Sequence, residues 1–171
     1  QSQWAARFVH LINTFYGRGE IPIGVVSGGV TPQMLAESRF GKYLPSPNGI
    51  HFTQYMARDE PDATDHEEAV KLLRRVLADQ PDQSVVLIGV GYMTNLARLL
   101  DSQPDSASSL AGRALVSAKV RFLSAMAGNF TSREAREFNL ELDVPAARKV
   151  FERWPTPIVV SGSEVGARLL F

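Results

Sequence analysis

Glu137 and Asn139 stand two positions apart in the run Glu137-Phe138-Asn139-Leu140-Glu141-Leu142-Asp143-Val144-Pro145-Ala146-Ala147. A carboxylate accepts hydrogen bonds from two hydroxyls, and a carboxamide both donates and accepts, a combination suited to the vicinal hydroxyls of a sugar. On an extended segment, residues i and i+2 point to the same side, so this spacing would turn both groups toward one ligand with Phe138 opposite. A competing reading makes Glu137 one more solvated acid of the charged segment Arg133-Glu134-Ala135-Arg136-Glu137, with Asn139 a turn residue. Asp143 has the same double reading, because an N-cap aspartate needs no ligand to explain it.

A second run, Gly89-Val90-Gly91-Tyr92-Met93-Thr94-Asn95, follows an apolar stretch and leads into helical spacing. Free backbone amides at the start of that helix could cradle an anion. The run lacks the Gly-Lys-Ser/Thr of a phosphate loop and the third glycine of a dinucleotide turn. The bland alternative is a tight turn with Thr94 or Asn95 capping the helix. His10, His51 and His66 are scattered with no metal-ligand spacing, so surface or turn roles are expected for them. Ser161-Gly162-Ser163-Glu164-Val165-Gly166 has the wrong spacing for a nucleophile elbow, which argues against acyl transfer. Cysteine is absent, which excludes disulfides, thiol nucleophiles and thiolate metal sites.

These residues must be positioned by the elements around them. Trp4, Phe8, Leu11, Ile12 and Phe15 recur at helical spacing with one apolar face, and Gly17 and Gly19 stop the helix. Ile21-Pro22-Ile23-Gly24-Val25-Val26 reads as a short buried strand. Residues Thr31 to Ala63, rich in Pro, Gly and Asp, read as a long excursion of the kind used for lids and binding loops. Thr64 and Glu67 make a capping-box pattern ahead of Ala69, Leu72, Leu73, Val76 and Leu77. Ser84 to Val90 is a strand, Asn95 to Leu100 a helix, Gln103 to Leu110 a polar connector and Val120 to Met126 a third strand leaving through Gly128-Asn129. Asp143 caps a helix with Pro145 in its first turn, and Pro155-Thr156-Pro157 ends it. Ile158-Val159-Val160 is a fourth strand, and Ser161-Gly162-Ser163-Glu164 opens a last helix.

Strands alternating with helices predict an α/β fold, doubly wound, with a mainly parallel sheet and helices on both faces. Both runs would then lie at the carboxyl edge of the sheet, where open α/β folds bind ligands. Residues 1–171 are expected to form a single α/β domain. With no strand before Trp4 and a helix still running at Phe171, the chain reads as an incomplete portion of a larger domain.

Lys+Arg and Asp+Glu are both 18, for a formal net charge of +0. That balance lacks the basic footprint of a nucleic-acid or membrane-surface binder and fits a small-molecule ligand. No apolar run reaches the roughly 18 residues that span a bilayer. Gln1-Ser2-Gln3-Trp4 does not look like a targeting signal, so a cytoplasmic setting is favoured, with the residues upstream of Gln1 deciding it. Exposed sheet edges and an incomplete core favour a homo-oligomer or a partner segment.

Taken together the two runs resemble the inosine/uridine-preferring nucleoside hydrolase family, over nearly the whole chain. Ile21-Pro22-Ile23-Gly24 is similar to the family's second-strand segment, and Gly91-Tyr92-Met93-Thr94-Asn95-Leu96-Ala97 to its Gly-x-Leu-Thr-Asn-x-Ala turn. Glu137-Phe138-Asn139 with Asp143-Val144-Pro145-Ala146-Ala147 is similar to its Glu-Phe-Asn…Asp-Pro-x-Ala-Ala signature, the most specific piece.

The resemblance implies a Rossmann-like, nucleoside hydrolase-like fold and cleavage of the N-glycosidic bond of ribonucleosides by a calcium-bound water. It implies that Glu137 and Asn139 bind ribose hydroxyls and that the backbone carbonyl of Val90 is a calcium ligand. Met126-Ala127-Gly128 is similar to the family's Met-Gly-Gly exit. The family's further ribose asparagine lies on a longer loop, which makes Asn129 only a distant candidate for that role. The family's Asp-x-Asp-x-Gly-x-Asp-Asp segment, source of calcium carboxylates and of the general base, has no counterpart here. A further aspartate ligand is expected beyond Phe171. Calcium takes about six to eight oxygens, so this chain alone is not expected to hold it. The catalytic residue is accordingly unassigned, and the chain alone is expected to be inactive. Three readings stay open: a calcium-dependent N-glycosidase completed by residues outside this chain, a noncatalytic ribose- or nucleoside-binding module that has lost the metal, and a doubly wound domain whose motifs only terminate strands.

Overall fold

A computed structural model describes residues 3–28, 66–131, 134 and 136–168. The chain divides into two compact units, Gln1–Leu72 and Leu73–Phe171. The expected excursion from Thr31 to Ala63, His51, Thr64 and the end at Phe171 lie outside the described residues.

The first unit contains α1 (Gln3–Phe15), β1 (Gly24–Val25), β2 (Glu67–Glu68) and the start of α2 (Ala69–Ala78). Helix α1 ends as expected at Gly17, whose φ of 70° is cheap only for glycine. The expected burial of Leu11, Ile12 and Phe15 is not found, Phe15 being 80% exposed. The described strands of this unit, two residues each, offer little sheet surface for Leu11, Ile12 and Phe15 to pack on. The predicted strand over Ile21–Val26 shortens to Gly24–Val25, which pairs in parallel with Glu67–Glu68. A Cβ on Gly24 would sit 2.8 Å from the Ala69 Cα, so the absent side chain is what lets β1 approach the helix start.

The predicted capping box is corrected here. Glu67 lies in β2, and Glu68 does the capping, its carboxylate accepting from the Val70 and Lys71 amides at 2.8 and 3.1 Å. Strand β2 is short because Glu68 already serves the helix that follows it.

The second unit holds the rest of α2, then β3 (Val85–Gly89), α3 (Thr94–Asp101), α4 (Gly112–Lys119), β4 (Val120–Met126), α5 (Phe138–Glu141), α6 (Val144–Arg153), β5 (Ile158–Ser161) and α7 (Ser163–Ala167). Its sheet has the order β3-β4-β5 and is parallel throughout, as the alternation of strands and helices predicts. Leu87, Leu123 and Ile158 share one register row, with Leu123 fully buried. Ile88, Ser124 and Val159 share the next row, where Ile88 and Val159 stay exposed on the two outer strands. Helix α3 packs on α4 and α6. Leu99, Leu115, Val116, Val120, Leu123 and Val150 are completely buried in the described structure. Each removes enough apolar surface from water to contribute about 2 kcal/mol.

Two features of this unit lie outside the sequence expectations. Helix α4 occupies Gly112–Lys119, between the polar connector and the third strand, where no element was expected. It starts at Gly112, where a Cβ would fall 1.6 Å from the Leu99 carbonyl oxygen, and the Gly112 amide donates to the Ser102 carbonyl at 2.8 Å. The other is Arg74, on the helical face read from its apolar neighbours alone, which is 2% exposed. Its guanidinium donates to both Asp105 oxygens at 2.7 and 3.0 Å, to the Ser102 hydroxyl at 2.9 Å, and to the Ser108 and Leu110 carbonyls at 3.0 Å. These bonds hold the polar connector after α3 against α2. Among the described residues no helix is long and apolar enough to cross a membrane.

Candidate functional site at the strand exits

The three parallel strands of the second unit all leave at one edge of the sheet, and their exits are tied to one another. After β4, Ala127 is buried and its amide donates to the Ser161 carbonyl at 2.9 Å. Gly128 follows with φ of 76°, which turns the chain sharply. Its carbonyl accepts from the Ser163 amide at 2.9 Å, joining the exits of β4 and β5. Its amide donates to the Glu137 carboxylate at 3.2 Å.

Glu137 and Asn139 are therefore brought to the β4 exit, both more than nine-tenths buried. The expectation that they project in parallel from an extended segment is corrected. Glu137 is the N-cap of α5, and its side chain accepts from the Asn139 amide at 2.9 Å and from the Leu140 amide at 3.2 Å. The reading of Glu137 as a solvated surface acid is also overturned. Three backbone amides fill most of the acceptor sites of one carboxylate. Asn139 lies in the first turn of the helix, and its amide nitrogen donates to the Met126 carbonyl at 3.1 Å and to the Met126 sulfur at 3.0 Å. The Asn139 carbonyl oxygen accepts from no described residue, which leaves it available to a donor such as a hydroxyl.

Asn129 sits in the same turn but is engaged locally. Its amide donates to the Ser163 hydroxyl at 3.1 Å, and its oxygen accepts from the Thr131 amide and hydroxyl at 3.0 and 2.9 Å. Glu164, which the sequence reading used only in rejecting a nucleophile elbow, enters this cluster by accepting from the Phe130 amide at 3.3 Å. The signal was its place just after a strand, the same place that singled out the other two runs.

The β3 exit is more open. Val90 is 75% exposed, while Met93 is completely buried and fixes the turn to the core. Met93 occupies the N-cap position of α3 with no side-chain bond, so the expected capping by Thr94 or Asn95 does not occur. The Thr94 hydroxyl instead donates to Asp143 Oδ2 across 49 residues. Asp143 is the predicted N-cap of α6, with Oδ1 accepting from the Ala146 amide at 3.2 Å and Pro145 in the first turn. The Asn95 side-chain oxygen is buried without a hydrogen-bond partner. Tyr92 meets Phe138 with ring centroids 5.8 Å apart, and partial burial pushes the Tyr92 hydroxyl above its ordinary pKa.

A calcium ion needs about six to eight oxygen ligands. Among the described residues no three His, Cys, Asp or Glu side chains come together to hold a metal. Val90 supplies one carbonyl on an exposed turn, and the Glu137 carboxylate is occupied by amides. The residues described do not fit a calcium ion by themselves. His10 lies in α1, with Nε2 3.4 Å from the Thr14 hydroxyl, and the buried His66 Nε2 has no hydrogen-bond partner.

An open groove of about 540 Å³ runs along α5 and α6 between Arg136, Leu140, Val144, Arg148 and Phe151. It reaches the strand-exit cluster at Glu137 but is not lined by Asn139, Asn129 or Val90.

A family model described as inosine-uridine preferring nucleoside hydrolase matches residues 2–170. No curated protein and no solved structure matches the chain.

Proposed function

The chain belongs to the inosine-uridine preferring nucleoside hydrolase family, and from that premise we propose that its parent protein hydrolyses the N-glycosidic bond of ribonucleosides. The observation that carries this reading is the burial of Glu137 and Asn139 side by side at a strand exit, with the Asn139 oxygen unclaimed. In this proposal the Asn139 oxygen accepts from a ribose hydroxyl and the remaining acceptor capacity of Glu137 takes a second. Glu137 then has a further use. Its described partners are neutral backbone amides and no described cation is bonded to it, so a carboxylate there would face the positive charge that an oxocarbenium-like sugar develops. Asn129, already bonded to Ser163 and Thr131, is given no ribose role.

Calcium would supply a polarised water of lowered pKa. Its carboxylates, and the general base, are assigned to residues outside those described here, with Val90 contributing a backbone carbonyl. The chain as given is accordingly proposed to be inactive alone, and the working protein to be a homo-oligomer acting on a small-molecule nucleoside.

The test is release of free base from inosine and uridine by the full-length protein with calcium, followed by ultraviolet absorbance. Turnover that a chelator abolishes, with none from residues 1–171 alone, is expected. The poor fit to calcium among the described residues favours one competing reading, a noncatalytic nucleoside-binding module. Calorimetric binding of inosine by the full-length protein with no base released from any common nucleoside would establish that module instead.

A further inference from the structure

An N-cap aspartate needs one oxygen, and Asp143 uses Oδ1 for this by accepting from the Ala146 amide. Its other oxygen is committed elsewhere, to the hydroxyl of Thr94 at the start of α3. We propose that Thr94 and Asp143 are positioning residues that hold the Val90–Met93 turn in register with the helix bearing Glu137 and Asn139. This rests on the hydrolase reading given above and extends it to residues that touch neither sugar nor metal.

The geometry assigns the link this work because the turn is weakly fixed by itself, while the helix it meets is held to the β4 exit through Glu137 and Asn139. The turn leaves β3 with Val90 and Gly91 exposed, and α3 begins without a side-chain cap. Its described anchors are the buried Met93, the contact of Tyr92 with Phe138, and the Thr94 bond. Helix α5 is four residues long, and Leu142 alone separates it from Asp143. A shift at Asp143 is therefore passed to Asn139 with little chain to absorb it. Two of the three anchors of the turn lie on the Phe138–Asp143 segment, so the metal-facing and sugar-facing parts of the proposed site are braced against each other. Misplacement of reacting groups by about 1 Å can cost a hundredfold in rate.

The experiment uses the full-length protein and inosine. Thr94→Val keeps the shape but loses the donor, Thr94→Ser keeps the donor, and Asp143→Ser keeps a good N-cap with a single oxygen that cannot also serve Thr94. Thr94→Val and Asp143→Ser are expected to lower kcat about tenfold or more, with KM changed less than about threefold. Thr94→Ser is expected to stay within about threefold of the parent kcat, and the double variant Thr94→Val/Asp143→Ser to be no worse than the poorer single one. A Thr94→Val protein with a lowered melting temperature but unchanged kcat would overturn the proposal and leave a merely structural bond. Equal damage from Thr94→Ser and Thr94→Val would overturn it too. A parent protein that releases no base from any nucleoside overturns the hydrolase reading itself, and this proposal falls with it, an outcome distinct from an active parent with indifferent variants.

Discussion

Asp105 and Glu137 are two carboxylates of the same compact unit held in opposite ways. Asp105 faces the buried Arg74 guanidinium through both oxygens, and that bond above all, with the amides of Ser108 and Ala107, draws its pKa from 3.8 to about 2. Glu137 is the more deeply buried of the two, yet its described partners are the amides of Gly128, Asn139 and Leu140. The first arrangement cancels charge and closes a connector. The second orients a charge without cancelling it. The carboxylate locked to arginine serves the fold, whereas the one bonded to amides caps a helix at a strand exit, where the proposed function places a ligand. That difference separates the candidate site from the other polar cluster of the unit more sharply than burial does.

The comparison breaks most readily at Glu137. Replacing it by Gln keeps an oxygen for the cap and removes the charge, so kcat/KM for inosine in the full-length protein should fall about a thousandfold, near 4 kcal/mol of transition-state stabilisation. The melting temperature should fall as well, because the Gln side-chain NH2 would face backbone amides that need an acceptor. A fall in stability with turnover preserved would place Glu137 with Asp105 as a structural acid.

Arg74→Met should affect stability alone. The methionine stem fills the same space, but Asp105, Ser102 and the Ser108 and Leu110 carbonyls lose their donor, at a cost of about 2–3 kcal/mol in a urea titration. Turnover per folded molecule should be unchanged. Loss of turnover beyond the unfolded fraction would mean that the connector reaches the site.

The smallest effect is in acid. Because the folded pKa of Asp105 lies below its unfolded value, the stability it supplies is fully present above about pH 4 and is lost as the pH falls toward about 2. Asp105→Asn should flatten that part of the stability–pH curve, measured by denaturant titration at several pH values. An unchanged slope would show that Arg74 does not depend on the charge of its partner.

What could be read from sequence follows the range of the interactions involved. Strand β4 appears over the residues expected, Val120–Met126, because its apolar run is a local property. The start of α6 was legible for the same reason, in Asp143 and Pro145. Strand β2 was read as the first turn of a helix because Glu67 and Glu68 have the same chemistry, and only pairing with Gly24 separates their roles. Helix α4 was missed because small and polar residues surround its buried pair Leu115 and Val116. The burial of Arg74 depends on partners 28 to 36 residues away, which no local period reveals. At the site, the types and positions of Glu137 and Asn139 were legible, and the family match over residues 2–170 agrees with the resemblance they suggest. Their geometry was not, because a carboxylate preceding free amides folds back as a cap where an i,i+2 rule assumes an extended chain.

Gly112 has a consequence for anyone who would transplant these strand exits onto another scaffold. A methyl group there would collide with the Leu99 carbonyl at 1.6 Å, whereas a methyl on Gly91 or Gly166 would meet nothing within 4 Å. In a saturation library the first position should tolerate no exchange and the other two many, although all three carry the same letter. The movable module is therefore longer than its ligand-facing residues, since a grafted α3 needs the glycine that lets α4 begin against its end.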